Sequence, residues 1–265
     1  MATSLSVLKI GGSVITNKQR EFAASRKTIS RLTKEIHEGA SGQLIVVHGG
    51  GSYGHHMAKR YELSEGYRNH SQIPGFVRTR QSMMELNKIV LDSAIRNGLP
   101  CISLQPSSFV RMKNGRIEEM NLRIVRDLLD LQMIPLLFGD VALDEELGFC
   151  ILSGDQLASR LASELAATQV ILAVDVDGVF DSDPKLYPKA RLIGRMTAAD
   201  AKALIQKRRQ SAPSSDVTGQ MMGKLKEMLP AVERGIQVIV LNGCVPRRVS
   251  EALKGRLTVG TVIKP

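Results

Sequence analysis

The sequence predicts an α/β fold: a mostly parallel, open sheet with helices on both faces. Three observations carry this. Strand-like and helix-like segments alternate along the whole chain, the pattern of a sheet linked by helical crossovers. The strand-like runs are apolar and rich in branched residues, as in Leu44-Ile45-Val46-Val47 and Val170-Ile171-Leu172-Ala173-Val174, which marks strands buried on both faces. Several of these runs pass without a spacer into glycines or carboxylates, at the strand ends where ligands gather in open α/β sheets.

The 265 residues suffice for one large α/β unit, and 43% of them are hydrophobic. No apolar run approaches the ~20 residues of a membrane span, so no membrane partner is expected. Met1-Ala2-Thr3-Ser4 shows no basic leader ahead of an apolar stretch, and no secretory signal is expected. The cysteines, Cys101, Cys150 and Cys244, are far apart and odd in number, which fits reduced thiols in a cytoplasmic protein better than a disulfide or metal framework. The net charge is +10, but there is no Trp and only 4% of residues are aromatic, so bases have little to stack on. Basic residues are spread along the chain apart from Lys207-Arg208-Arg209. This balance favours small anionic ligands over nucleic acid.

Taken in order, Leu5-Ser6-Val7-Leu8-Lys9-Ile10 reads as the first strand and runs into Gly11-Gly12-Ser13. A helix at 25–38 follows, with Ile29, Leu32 and Ile36 on one face and glycines at its end. Residues 43–48 are the second strand. Beyond the glycine loop we expect a short helix at 55–61, a polar irregular stretch at 62–75 and a long helix at 75–97, with Phe76, Met83, Leu86, Val90 and Ala94 at helical spacing. A third strand covers 100–104. Asn114-Gly115 turns one hairpin, a helix covers 122–131, and a strand at 133–138 ends in Gly139-Asp140. A second hairpin spans 141–152, and Ser153-Gly154-Asp155 opens a helix to 166. The strand at 170–174 delivers Asp175-Val176-Asp177-Gly178-Val179-Phe180. Residues 182–196 read as loop, 198–205 as helix, and the basic 206–215 as a mobile loop that closes over a nucleotide. Asp216-Val217-Thr218-Gly219 opens a helix bearing Lys224, and strands at 236–241 and 257–263 flank a helix at 247–253. A shift in composition near Leu152 divides the chain into two lobes, 1–152 and 153–265, of one continuous sheet.

The chemistry concentrates at the strand ends. Gly49-Gly50-Gly51-Ser52-Tyr53-Gly54-His55-His56 joins a buried strand to a helix. Glycines let the backbone approach a ligand, and the first N–H groups of a helix have no partner within it, so the junction suits phosphate. Gly49, Gly51 and Gly54 also match the dinucleotide fingerprint G-x-G-x-x-G. That reading needs a carboxylate about 20 residues on, and residues 66–72 supply none. Lys9, near the end of a buried strand, is costly without an anion; the alternative is an edge strand with Lys9 in water. Asp155 suits an N-cap or a charged site. Lys18 lies in a loop, where solvation is the ordinary reading. Gly223-Lys224 is followed by Leu225, so no Walker A pattern is present.

In this order, Lys9-Ile10-Gly11-Gly12-Ser13, the Gly49–Gly51 loop, Ser153-Gly154-Asp155, Asp175-Val176-Asp177-Gly178-Val179 and Asp216-Val217-Thr218-Gly219 with Lys224 resemble the amino acid kinase superfamily over essentially the whole chain. The loop ending in His55 is most similar to the isopentenyl phosphate kinases, whose loop often carries Phe where Tyr53 stands here. Fosfomycin and nucleoside monophosphate kinases are the neighbouring alternatives. The resemblance implies a three-layer αβα sandwich, an acceptor-binding N-terminal lobe, an ATP-binding C-terminal lobe and a homodimer. It implies ATP-dependent phosphorylation of isopentenyl phosphate, with Mg2+ carried on the ATP phosphates and no protein metal site. Under it Lys9, Lys18, His55, Asp155 and Lys224 form the catalytic set. Lys9 bridges the transferring group, Lys18 and Lys224 neutralise charge, Asp155 orients Lys9 and Lys224, and His55 donates to the acceptor phosphate. ATP falls to Lys9, Gly11, Gly12, Ser13, Gly50, Asp175, Asp177, Gly178, Gly219 and Lys224. The acceptor falls to Gly49, Gly50, Gly54, His55 and Gly154, with Phe76, Met83, Met84 and Ile89 lining its tail. The N–H groups of Gly11, Gly12, Gly49 and Gly50 are expected to cradle phosphate oxygens. Two readings from other classes compete: a non-catalytic sensing module, which would be expected to lack some of the three lysines, and a dehydrogenase.

Overall fold

The structure, a computed structural model, describes residues 4–17, 19–184, 186–211, 217–256 and 259–265, without the side chains of 209–211 and 217–219. The strands in chain order are β1 (Leu5–Ile10), β2 (Gln43–His48), β3 (Cys101–Ser103), β4 (Val110–Lys113), β5 (Arg116–Met120), β6 (Ile134–Phe138), β7 (Asp140–Asp144), β8 (Gly148–Leu152), β9 (Gln169–Val174), β10 (Arg195–Thr197), β11 (Gln237–Asn242) and β12 (Thr261–Lys264). The helices are α1 (Gly12–Ile15), α2 (Arg26–Gly39), α3 (His55–Arg60), α4 (Ile73–Arg96), α5 (Arg123–Asp130), α6 (Gly154–Glu164), α7 (Ala198–Ser211), α8 (Val217–Glu233) and α9 (Arg248–Leu253).

Eight strands form one sheet in the order β10-β12-β11-β9-β1-β2-β6-β3. Every neighbouring pair is parallel except β11–β12. Successive side chains of a strand point to opposite faces. Val7, Val47 and Leu172 therefore pack with Leu157 and Leu161 of α6 and Leu225 and Met228 of α8. Leu8, Val46 and Ile171 pack with Ile29 and Leu32 of α2, Leu86 of α4 and Val249 of α9. The result is the three-layer αβα sandwich, and burial on both faces is why these strands show no apolar–polar alternation. Residues up to 152 supply β1, β2, β3 and β6, later residues supply β9–β12, and β1 joins β9 across the middle.

The hairpins form a sheet of their own, in the order β5-β4-β7-β8. Asn114 and Gly115 turn the first with φ of 48° and 74°, as a two-residue turn between twisted strands requires. Asp144, 4% exposed, ties the two hairpins together. Its carboxylate accepts from the N–H groups of Asn114 and Gly115 in the first turn and of Glu146 and Leu147 in its own.

Three segments differ from the sequence reading. β10 overlaps the end of the expected 182–196 loop region and runs to Thr197, because a three-residue strand is too short to display a period. The long helix starts at Ile73, two residues early, with Pro74 in its first turn, where the missing N–H has no partner to lose. The basic stretch expected as a loop over 206–215 is helical to Ser211, and the rest of it, 212–215, lies outside the described residues. Among the described residues no helix is long and apolar enough to cross a membrane.

Replacing Asp144 by Ala would leave these turn N–H groups without their acceptor. A loss of about 3 kcal/mol and a Tm fall of roughly 5–10 °C by calorimetry are expected, with Asp144→Asn intermediate because its amide oxygen still accepts.

Candidate active site

Parallel neighbours deliver their C-terminal ends to the same edge of the sheet. β1 runs into Gly11-Gly12 and its partner β2 into Gly49-Gly50-Gly51, so the two glycine loops meet. A Cβ on Gly12 would collide with the backbone N of Gly51, and one on Gly51 with the hydroxyl of Thr16, so the contact requires glycine on both sides. Thr16 fastens it: its Oγ1 donates to Gly12 O at 2.8 Å and accepts from Ser52 N at 3.0 Å. Beside the loops a cavity of about 470 Å3 opens, lined by both of them and by residues of α3, α4, α6 and α8 and of the turn after β9.

At its floor lies a cluster of charges. Lys9 alternates with Leu8 and Ile10 and so faces α6. Ser153 caps α6 by accepting from Asp155 N at 3.2 Å, which starts the helix at the level of the strand ends and sets Asp155 in its first turn. Asp155 Oδ1 is 2.6 Å from Lys9 Nζ, and Oδ2 is 2.8 Å from Lys224 Nζ, carried in by α8. The Lys9 side chain is only 4% exposed. Burial pushes the Lys9 ammonium down, Asp155 pulls it back and the Lys224 charge lowers it again, leaving it at about 8. Burial alone would raise Asp155, but Lys9 and Lys224 outweigh it and hold the carboxylate at about 2. Lys224, with burial opposed more strongly by Asp155, is raised. One carboxylate thus holds two cations beside the cavity, and Asp175 on the wall adds to the pull on Lys224.

The glycine loops divide their work. Gly11 N donates to Ala173 O at 2.7 Å and Gly49 N to Ile10 O at 2.9 Å, so these two N–H groups are taken and do not cradle phosphate as expected. The N–H groups of Gly12 and Gly50 donate to no group among the described residues and lie on the cavity wall. Ser13, Gly54, His55, Gly154, Asp175 and Gly178 also line the cavity, with His55 and His56 in the first turn of α3. Ligand chemistry here is that of phosphate: cations and N–H donors, with no group of three or more His, Cys, Asp or Glu suited to a metal among the described residues.

Some expected residues stand elsewhere. Asp177 does not line the cavity; it turns to Arg248 Nη1 at 2.6 Å and Asn242 Nδ2 at 3.0 Å, and these bonds lower its pKa. Phe76 sits about one turn too early in α4 and packs on Phe149 with ring centroids 5.1 Å apart; Thr79 and Met83 hold the wall instead. Met84 is 49% exposed and Ile89 packs into the α2–α4 core, so neither lines the tail site. Gly219 lies in the first turn of α8, and Lys18 lies outside the described residues. Sequence reasoning missed His48 and Thr16 behind the loops, and Asp140 and Asp183 on the cavity wall. His48 and Asp140 had the signal that singled out Lys9, a polar residue at the end of an apolar run beside glycine.

A profile of the amino acid kinase family matches residues 4–242. The isopentenyl phosphate kinase of Methanothermobacter thermautotrophicus is 36% identical over 264 residues, covering 97% of this chain and 98% of that protein. An X-ray structure of isopentenyl phosphate kinase superposes with a TM-score of 0.85 at 34% identity, covering 98% of this chain and 100% of its own. The Thermoplasma acidophilum isopentenyl phosphate kinase product complex superposes with a TM-score of 0.80 at 29% identity, covering 98% and 100%.

The charge cluster sets a pH dependence. As pH rises through about 8, Lys9 loses its proton, so reactions that need its charge should fall away above that pH. Asp155→Asn removes the group that pulls Lys9 upward, and the alkaline limb of kcat/KM should move to lower pH; Lys9→Arg should move it out of range. Held at about 2, the Asp155 carboxylate stabilises the fold above its ordinary 3.8, and that contribution is lost as pH falls through about 2. Rate profiles from pH 6 to 10 and acid titration of the fold check both limbs.

Proposed function

We propose, from the premise that this chain belongs to the amino acid kinase family and within it to the isopentenyl phosphate kinases, that it transfers the γ-phosphoryl group of ATP to isopentenyl phosphate, giving isopentenyl diphosphate and ADP. One observation carries the chemistry: two lysines held on a single buried carboxylate, beside glycine N–H groups open to the cavity.

Phosphoryl transfer between two anions needs positioning and neutralisation more than covalent help. The attacking atom is a phosphate oxygen, already ionised, so no general base is required. That matches a site whose one central carboxylate is engaged by lysines rather than poised to take a proton. Lys9, at the meeting point of the two loops, bridges the transferring group. Lys224 stabilises the charge that builds on the leaving side, and Asp155 holds both ammonium groups in register. Gly12 and Gly50 donate their N–H groups to phosphate oxygens. His55 donates to the acceptor's own phosphate, and Met83 and Ile151 on the wall suit a short hydrocarbon tail. The nucleotide side falls to Asp175, Gly178 and Lys224. Mg2+ would be carried on the ATP phosphates and would supply charge neutralisation there; the Asp175 carboxylate on the cavity wall fits such a complex.

The N-terminal lobe, 1–152, holds the acceptor in this reading, and the C-terminal lobe, 153–265, the nucleotide. A homodimer belongs to the same reading, supported by exposed apolar residues on α4, Val77 at 56% and Met84 at 49%. The scattered cysteines support a reducing, cytoplasmic setting.

An ADP-coupled assay with isopentenyl phosphate, dimethylallyl phosphate, fosfomycin and uridine monophosphate side by side tests the acceptor. Isopentenyl phosphate should give the highest kcat/KM, with dimethylallyl phosphate weaker or comparable; fosfomycin or the nucleotide winning by about tenfold would overturn it. Lys9→Ala should lose about 3 kcal/mol of transition-state stabilisation, roughly a hundredfold in turnover, while the fold persists. His55→Ala should raise the acceptor KM and lower kcat while the KM for ATP holds.

A further inference from the structure

His48 is fully buried, contributes nothing to the cavity wall, and lies directly before the glycine loop. Its ring stacks on Phe138 with centroids 5.6 Å apart, its Nδ1 is 3.2 Å from Gly49 O, and its Nε2 is 3.2 Å from the side chain of Asn87 on α4. We infer that His48 is a positioning residue for phosphate recognition: its Nδ1–H holds the Gly49 carbonyl and thereby aims the Gly50 N–H into the cavity.

The argument is one of backbone freedom. The peptide before Gly49 is fixed at both ends, since Gly49 N donates to Ile10 O at 2.9 Å and Gly139 N donates to His48 O at 3.0 Å. The next peptide, Gly49–Gly50, is flanked by glycine on both sides, and nothing in their side chains opposes its rotation. In a trans peptide the C=O and N–H point to opposite sides. Holding Gly49 O on the His48 side turns the Gly50 N–H away from His48, toward the cavity that Gly50 lines. With the peptide rotated by half a turn, a carbonyl oxygen would face an incoming phosphate and repel it.

The protonation state fits. A carbonyl only accepts, so the proton must sit on Nδ1. Burial, with the Lys9 charge adding to it against the hydrogen bonds of Gly49 and Asn87, pushes the ring down to about 4, so at neutral pH it carries one proton. Nε2 is then an acceptor. The Asn87 amide serves it in the flipped form, with NH2 toward Nε2 and its oxygen taking the hydroxyl of Ser103, where the structure has Oδ1 toward Nε2 and Nδ2 2.6 Å from Ser103 Oγ. The two forms have the same shape.

The inference rests on the phosphoryl-transfer reading, and the test separates the two. Wild-type protein inactive on isopentenyl phosphate would end that reading. With wild type active, His48→Phe keeps a stacked ring but has no donor, and His48→Asn restores an amide donor near the place of Nδ1. His48→Phe should lose about tenfold or more in kcat/KM for the acceptor with the KM for ATP within about twofold, and His48→Asn should recover most of it. Wild-type kinetics in a folded His48→Phe protein, or equal losses in both variants at unchanged Tm, would overturn the inference. Independently of folding in the variants, two-bond 1H–15N correlations on 15N-histidine-labelled wild-type protein should give the Nδ1–H tautomer for the buried ring; the Nε2–H tautomer would overturn it.

Discussion

A lysine on the central strand of a buried sheet is the constraint from which the rest of the site follows. Lys9 is flanked by β2 and β9 and covered by α6, and an ammonium in that place is tolerable only with a partner. Asp155 is that partner, and its place is set by a helix cap rather than by the strand. A second ammonium, Lys224, shares the same carboxylate. Losing Asp155 would leave two cations near each other with little solvent, so the pair of lysines and the start of α6 depend on it together. Both ammonium groups line the cavity, where an anion can meet them.

Around this cluster the backbone does what side chains cannot. Two adjacent parallel strands end in glycines, and parallelism puts both ends at one edge. The loops touch where only glycine fits, and the residues behind them, Thr16 and His48, make the contacts that hold individual peptides in place. The N–H groups of Gly11 and Gly49 tie the loops to the neighbouring strands, and those of Gly12 and Gly50 remain for a ligand. Phosphate recognition is thus a property of which peptide groups are already bonded, not of glycine content.

The neighbouring hairpin sheet plays a different part. It supplies no lysine or glycine to the phosphate end. It places Ile151 and Asp140 on the cavity wall, and its Phe149 packs on Phe76 of α4, which stands away from the cavity. This part of the cavity wall is shaped by the second sheet, whose position against α4 is a long-range packing outcome.

Whatever is local was legible in the sequence: apolar runs gave the strands, turn residues gave the hairpins, and the strand-to-glycine junctions, Lys9, Asp155 and Lys224 marked the phosphate end, because burial of a charge or a run of glycines carries its reason within a few residues. The tertiary structure alone decided which groups face inward. Asp177 turned to Arg248, 71 residues away in the chain, and Phe76 turned to Phe149. The N–H groups of Gly11 and Gly49 were claimed by Ala173 and Ile10 across the sheet. His48 meets the glycine loop through one contact, to Gly49 O, and Thr16 joins the loops through two, to Gly12 O and Ser52 N. Such outcomes depend on registers between strands and on one turn of a helix more or less, and a period of 2 or 3.6 in a sequence sets a face without setting what stands opposite it.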